Sequence, residues 1–337
     1  MYQPSISRRG LIATLAAASA LPLAACGSED TKEGGSAGSA SASDGKTYKI
    51  GVLQLTQHAA LDQTNEGFIK ALDEAGISYD ADQQNASNDQ TACQTIAQTF
   101  VNDGSDLIFA IGTPAAQAVA AATSEIPIVG SAITDFESVG LVSTNDAPGG
   151  NVTGSSDLTP VSDQIDLLVK LVPDCKTAGI LYCTAESNST IQVDLAKEAL
   201  DSYDLPYEEF TVSSSNEIQS VVETAVGKVD AIYAPTDNTI AAAMAQVSSI
   251  ADEAGVPVIV GCDTMVEDGG TASYSINYVD LGHEAGEMAV RILTEGEDPA
   301  DMPIEYLDAS ECTLIANQAS ADACGVDLGI LDNPKIV

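Results

Sequence analysis

From residue 47 onward, short runs of β-branched and aliphatic residues alternate with longer segments whose apolar positions recur every three to four residues, and this rhythm restricts the fold more than any other feature. Lys49-Ile50-Gly51-Val52-Leu53-Gln54-Leu55 is a near-continuous apolar strand. Residues 61–75 then place Leu61, Phe68, Ala71, Leu72 and Ala75 along one side of a helix that closes on Gly76, a C-terminal stop signal. The cycle recurs, with strands expected at residues 106–111, 126–130, 178–183, 207–212, 230–235, 256–261 and 272–276. Helices are expected near 89–103, 114–124, 163–172, 189–202 and 239–254. Strands buried on both faces and alternating with helices imply parallel sheets covered by helices. The strands are too many for one sheet, and Asp157-Leu158-Thr159-Pro160 interrupts the rhythm before a second series begins. The expected fold class is therefore α/β, as two doubly wound parallel-sheet lobes in tandem.

The N-terminal end reads as an address. Ser7-Arg8-Arg9-Gly10-Leu11-Ile12 places two arginines before an apolar run over residues 11–25, resembling a twin-arginine export signal, although an Arg pair also serves general secretion. Leu23-Ala24-Ala25-Cys26 fits a lipobox, with small residues for a signal peptidase and the Cys26 thiol to carry acyl chains such as palmitate. The apolar run is shorter than the roughly 20 residues that a bilayer-spanning helix needs. Residues 1–25 are thus expected to be a signal peptide. Residues 26–46, the lipidated cysteine and a stretch of Gly, Ser, Ala, Asp and Glu, are expected to form a tether that buries no core. Such a 20-residue chain has a root-mean-square span of about 25 Å.

Charge excludes one class of partner. The chain carries 50 acidic and 12 basic residues, two of the latter in the signal, so the mature protein lies near −40. A field of that sign repels nucleic acid and anionic lipid. Six cysteines besides Cys26 (Cys93, Cys175, Cys183, Cys262, Cys312 and Cys324) allow up to three disulfides, with the pairing open. Cys93 shares a helical face with Ile96, Ala97 and Phe100, which reads as a buried thiol. No C-x-x-C occurs and the two histidines, His58 and His283, are far apart, so no metal or other cofactor is expected. The absence of G-x-S-x-G, H-E-x-x-H and P-loop motifs argues against an enzyme.

In doubly wound sheets ligands bind beyond the carboxyl ends of strands, where helix N-termini also point. Those positions hold Gln57, His58 and Asp62 after the first strand, Thr113-Pro114-Ala115 after the third, and Ser131 to Asp135 after the fourth. Thr113 suits an N-cap and Pro114 the first helical position, leaving free N–H groups for a carboxylate. The second series presents Asn188, Asp237, Asn238 and Asp263. One lobe with hydroxyls and helix N-termini, facing another with carboxylates, suits a zwitterion. Asp237 and Asp263 also precede helices, so each could equally serve as an N-cap.

Gly112-Thr113-Pro114-Ala115-Ala116-Gln117-Ala118, Asn151-Val152-Thr153-Gly154-Ser155-Ser156-Asp157, Pro235-Thr236-Asp237-Asn238 and Gly282-His283-Glu284-Ala285-Gly286 occur in that order. Together they make the chain resemble the ABC transporter substrate-binding lipoproteins of the tryptophan/tyrosine-binding type, which have a type I periplasmic-binding-protein fold. The resemblance runs from Tyr48 to about Gly325. It implies a small ligand, with aromatic L-amino acids the foremost class, held by Gln57, Asp62, Thr113, Pro114, Ala115, Ser131, Thr134, Asn188, Asp237, Asn238 and Asp263. It also implies an ABC permease and its ATPase as partners, a monomer anchored outside the cell membrane through Cys26, and no catalysis. Three chain crossings between lobes follow from it: residues 157–160, 277–280 and 303–308. The N-terminal lobe would comprise residues 47–157 and 279–305, and the C-terminal lobe 158–278 and 306–337. Leu281, Ala285, Met288, Ala289 and Ile292 would form the helix that returns to the first lobe. Sugar-binding relatives stack rings on tryptophan, and this chain has none, which favours an amino acid. A sensor lipoprotein that reports to a receptor would share the same fold and ligand chemistry, and so would an importer component for another solute.

Overall fold

The computed structural model describes residues 45–307 and 312–337. The export signal, Cys26 and the tether as far as residue 44 lie outside these residues, as does the end of the expected crossing at 303–308. The first sheet begins with β1 (Thr47–Gln54), α1 (Ala59–Ala75), β2 (Ser78–Asn85), α2 (Gln90–Asn102), β3 (Leu107–Ile111), α3 (Thr113–Ala122), β4 (Ile128–Ile133) and β5 (Val152–Ser156). The second begins with α4 (Val161–Leu171), β6 (Ala178–Cys183), α5 (Ser187–Ser202), β7 (Tyr207–Val212) and α6 (Ile218–Ala225). It continues with β8 (Ala231–Ala234), α7 (Asn238–Ala241), α8 (Met244–Ala254), β9 (Val258–Val260), α9 (Asp263–Glu267) and β10 (Ala272–Ser275). Then follow α10 (Tyr278–Val290), β11 (Glu305–Tyr306), β12 (Thr313–Ala316), α11 (Gln318–Cys324) and β13 (Lys335–Ile336).

Among the described residues the strands form a six-stranded sheet, ordered β11-β5-β4-β3-β1-β2, and a seven-stranded sheet, ordered β13-β12-β10-β9-β8-β6-β7. Every neighbouring pair is parallel except β10 with β12. The chain passes between the sheets three times: after β5, after β10, and after β11. The α/β two-sheet reading of the sequence therefore holds. The pure apolar run of β3 is buried throughout, as a central parallel strand requires.

Differences from the expected elements have local causes. β2 is a polar edge strand, Ser-Tyr-Asp-Ala-Asp-Gln-Gln-Asn, whose register on β1 comes from backbone pairing and not from an apolar face. β5 is absent from the strands expected from sequence, yet its small residues are buried between β4 and β11. The helix expected over 239–254 is two helices, interrupted at Ala242 and Ala243. β4 runs three residues further than expected and bulges between Gly130 and Ile133, with Ala132 at φ 54°. Cys93 is fully buried on α2, and Cys93, Cys175, Cys183, Cys262 and Cys324 form no disulfide.

α10 returns the chain to the first sheet by lying directly on α1. A Cβ on Gly282 would come within 1.9 Å of the Thr64 carbonyl oxygen, and one on Gly67 within 2.0 Å of the Val279 carbonyl oxygen. Only glycines permit this approach, which buries Leu281, Ala285 and Met288 against Phe68 and Leu72. Ser155 Oγ also donates to the Leu281 carbonyl at 3.1 Å, tying α10 to β5. Residues just ahead of α1 and at the start of α10 are thereby held at the line where the two sheets face each other.

Candidate functional site

A cavity of about 320 Å³ of non-atom space, including its mouth, lies between the sheets. From the first sheet and its helices it is lined by His58, Ala60, Leu61, Ala132, Thr134 and Asp157, with Tyr278 from α10. From the second come Asn188, Thr236, Asp237, Asn238, Ala241, Cys262 and Met265. Thr134 follows β4, Asp157 follows β5, Thr236 to Asn238 follow β8 and Cys262 follows β9, the strand ends at which open α/β sheets bind ligands.

The carboxylates of the second-sheet wall sit in a dense polar network. Asp237 Oδ1 accepts the Ile240 N–H (2.9 Å) and so caps α7, while Oδ2 accepts the Cys183 N–H and the Ser189 hydroxyl (2.7 Å each). Glu186, buried beside it, accepts from Asn238 N and Nδ2 (3.1 and 2.6 Å) and from Thr239 N and Oγ1 (2.9 and 2.7 Å). Burial, with the Glu186 charge next in importance, raises the Asp237 carboxyl well above its ordinary range. Gln192 Nε2 donates to the Thr236 carbonyl and to Thr134 Oγ1 (3.3 Å each).

Among the described residues four side-chain hydrogen bonds cross from one sheet's elements to the other's: His58 Nε2 with Asn238 Oδ1 (3.1 Å), Asn88 Nδ2 to Thr239 Oγ1 (2.9 Å), Gln117 Nε2 to Ser187 Oγ (3.4 Å) and Gln192 Nε2 to Thr134 Oγ1 (3.3 Å). Because Asn238 gives its NH₂ to the Glu186 carboxylate, its oxygen must accept from His58 Nε2–H, leaving His58 Nδ1 a bare acceptor. Burial lowers the His58 pKa, so the ring is neutral.

Asp157 differs from the other acids. It is 5% exposed; Oδ2 accepts from the Tyr278 hydroxyl at 3.2 Å, and Oδ1 is left without a hydrogen bond of good geometry. Burial pushes its pKa up to about 6, against the smaller opposing effects of Tyr278, its own backbone and Thr134. His58 Nδ1, Asn188 Oδ1 and Thr236 Oγ1 are likewise buried and unpartnered.

Of the residues expected from sequence, Thr134, Asn188, Asp237 and Asn238 come together on this cavity. Thr113, Pro114 and Ala115 are buried in the first turn of α3. The α3 cap is Gly112 at φ 94°, not Thr113, whose hydroxyl is buried and unpartnered. Ser131 was placed after β4 but lies within it, bonded to Ser155 Oγ at 2.9 Å. Gln57 is exposed, Asp62 is exposed and takes the Gln54 amide at 2.6 Å, and Asp263 is half-buried beside a separate hollow with Ser275 and Lys335. Sequence reasoning passed over Asp157, Tyr278 and Cys262 as cavity residues; reading 152–156 as a strand would have put Asp157 at a strand end.

Among the described residues no group of three or more His, Cys, Asp or Glu side chains could hold a metal ion. No helix among them is long and apolar enough to cross a membrane.

A family model described as ABC transporter substrate binding protein matches residues 49–331. The chain is 39% identical over 296 residues to a tyrosine-binding protein of Clostridioides difficile (strain R20291), covering 87% of this chain and 85% of the relative. A solved ABC domain in complex with L-Trp from Streptococcus pneumonia is 37% identical and superposes with a TM-score of 0.82, covering 87% of this chain and all of the other. The ligand-free, open structure of a substrate-binding protein with adhesive properties from Clostridium difficile is 42% identical, covering 86% and 99% of the two chains, yet its TM-score is 0.65. The two sheets here are thus arranged more like those of the L-Trp complex than like those of the open relative, although sequence identity runs the other way.

Proposed function

The chain belongs to the ABC transporter substrate-binding protein family, a family of solute-binding proteins and not of enzymes, and from that premise we propose that it serves an importer by capturing an aromatic L-amino acid between its two lobes. The observation that carries this reading is the cavity: it lies between the sheets, is bridged by hydrogen bonds from both, and combines apolar surface (Leu61, Ala132, Ala241, Met265) with unpartnered polar atoms. An apolar-walled site with a few convergent polar groups suits a ligand that has a ring at one end and charges at the other. The L-Trp complex of a relative at 37% identity supports the same class. The carboxylate end is assigned to the first turn of α3, where Thr113 offers a buried, unpartnered hydroxyl and no side chain caps the helix. Asn188, Asn238 and Thr134 are assigned as further contacts, while Asp237 shapes the wall through α7. Thr113, Pro114, Ala115, Ser131, Gln57, Asp62 and Asp263 lie off the cavity lining and are kept as contacts made only as the lobes move.

The protein is further proposed to act as a monomer outside the cell membrane, held there by lipid on Cys26, and to deliver its ligand to an ABC permease driven by an ATPase. Calorimetric titration with L-tryptophan, L-tyrosine and L-phenylalanine tests the ligand class: at least one should bind with micromolar affinity or better. Small-angle scattering should show the radius of gyration falling on saturation, because ligand binding selects the closed arrangement. Binding of none of the three would remove the aromatic-amino-acid reading.

A further inference from the structure

We propose that Asp157, at the first crossing between the lobes, is the counterion of the ligand's ammonium group and makes the cleft selective for α-amino acids over their desamino analogues. The inference rests on the aromatic-amino-acid reading and deepens it. Three buried carboxylates stand around the cavity, and two of them are satisfied by the protein. Asp237 uses both oxygens on Ile240 N, Cys183 N and Ser189 Oγ, and Glu186 uses both on Asn238 and Thr239. Asp157 takes the Tyr278 hydroxyl on Oδ2 and a weaker influence from the Thr134 side chain, and its buried Oδ1 has no hydrogen bond of good geometry.

The other open polar atoms on the lining point to the same ligand chemistry. Asn188 Oδ1 is an acceptor, and His58 Nδ1 is one because Nε2 carries the hydrogen. Thr236 Oγ1 can serve either way. An acceptor-rich lining with no lysine or arginine on it calls for a cationic donor. A primary ammonium brings three N–H groups. Asp157 stands on the first sheet's side and Asn188 on the second's, so one ammonium bonded to both holds the lobes together.

Protonation is linked to this role. The groups facing Asp157 are Tyr278 from α10, Thr134 after β4 and Cys262 ahead of α9, with Asp263 acting on Tyr278 and Cys262 from behind; His58 ahead of α1 and Asp237 ahead of α7 share the cavity. None of them is a cation at neutral pH, since His58 is held neutral by burial. In the empty cleft Asp157 therefore holds its proton to unusually high pH, and an arriving ammonium displaces it.

The test is calorimetric titration of wild type and Asp157→Asn with L-tryptophan and with 3-indolepropionate, which lacks only the α-amino group. Wild type at pH 7.5 should prefer L-tryptophan by at least about 100-fold, as expected for loss of a buried charge-assisted pair. Asp157→Asn should reduce that preference to under about tenfold, mainly by weakening L-tryptophan. In wild type alone, L-tryptophan binding near pH 5.5 should release up to one proton, read from titrations in buffers of different ionisation enthalpy, and at pH 8 almost none. Undiminished selectivity in Asp157→Asn overturns the inference while leaving the ligand class standing. Should that variant fail to fold, absence of proton release from wild type near pH 5.5 overturns it by itself. If wild type binds 3-indolepropionate as tightly as L-tryptophan, the counterion role falls as well. If wild type binds no aromatic amino acid, this inference falls together with the ligand reading.

Discussion

Glu186→Ala should be among the most destabilising single changes in the second lobe, although Glu186 was not expected to matter from sequence. The carboxylate is 2% exposed and accepts five hydrogen bonds: from Asn238 N and Nδ2, Thr239 N and Oγ1, and Asn188 Nδ2 at 3.4 Å. Truncation leaves the two backbone N–H groups of the first turn of α7 without acceptors in a buried site. Each such loss costs about 1–3 kcal/mol. α7 spans only Asn238–Ala241 and has no long body to hold it in place. Removing the charge relieves Asp237, whose carboxyl Glu186 pushes up, and this offsets part of the cost. The net loss is therefore about 2–5 kcal/mol, which for a chain of this size lowers the thermal midpoint by roughly 5–15 °C. Glu186→Gln keeps one acceptor oxygen and should lose about half as much. Urea and thermal denaturation of both variants, without ligand at pH 7, measure this directly. A Glu186→Ala variant within about 1 kcal/mol of wild type, or one no less stable than Glu186→Gln, would refute the reasoning. Ligand affinity should fall too, because Glu186 fixes the Asn238 amide that meets His58 across the cleft.

Gly282→Ala should cost at least about 1–3 kcal/mol, because the added methyl meets the Thr64 backbone oxygen; Gly286→Ala, whose nearest obstacle is the Ala71 methyl, should cost less, and equal thermal midpoints would contradict the helix contact. Asp157 has a folded-state pKa of about 6 against an ordinary 3.8, so its stabilising contribution is full below about pH 4 and is lost as pH rises through 6. That shift corresponds to about 3 kcal/mol. The empty wild type should thus lose that much relative to Asp157→Asn between pH 4 and 7, and parallel urea midpoints for the two across this range would exclude a buried, proton-holding carboxyl. Cys26→Ser should abolish lipid attachment and move the protein from the membrane fraction to the soluble one; a variant retained like wild type would put the anchor elsewhere.

The local rules of the chain were enough for the alternating strands and helices, the glycine helix ends at Gly76 and Gly255, and the division into two sheets. Each depends on residues near in sequence, through periodicity and capping, so no distant contact had to be known. The placement of Thr134, Asn188, Asp237 and Asn238 at strand ends was legible for the same reason. Polar β2 and the small residues of β5 were not, because their strand character comes from neighbours that supply hydrogen bonds and burial. With β5 unread, Asp157 looked like a linker residue, whereas it closes a strand and faces the cavity. The opposite held for Asp237, whose sequence position marks both a helix cap and a ligand contact. Only the fold reveals that Cys183 and Ser189, 54 and 48 positions away, already fill one of its oxygens. A carboxylate's chemistry is set by how many donors reach it and how much water is excluded, and both are decided by residues that the chain brings together only on folding.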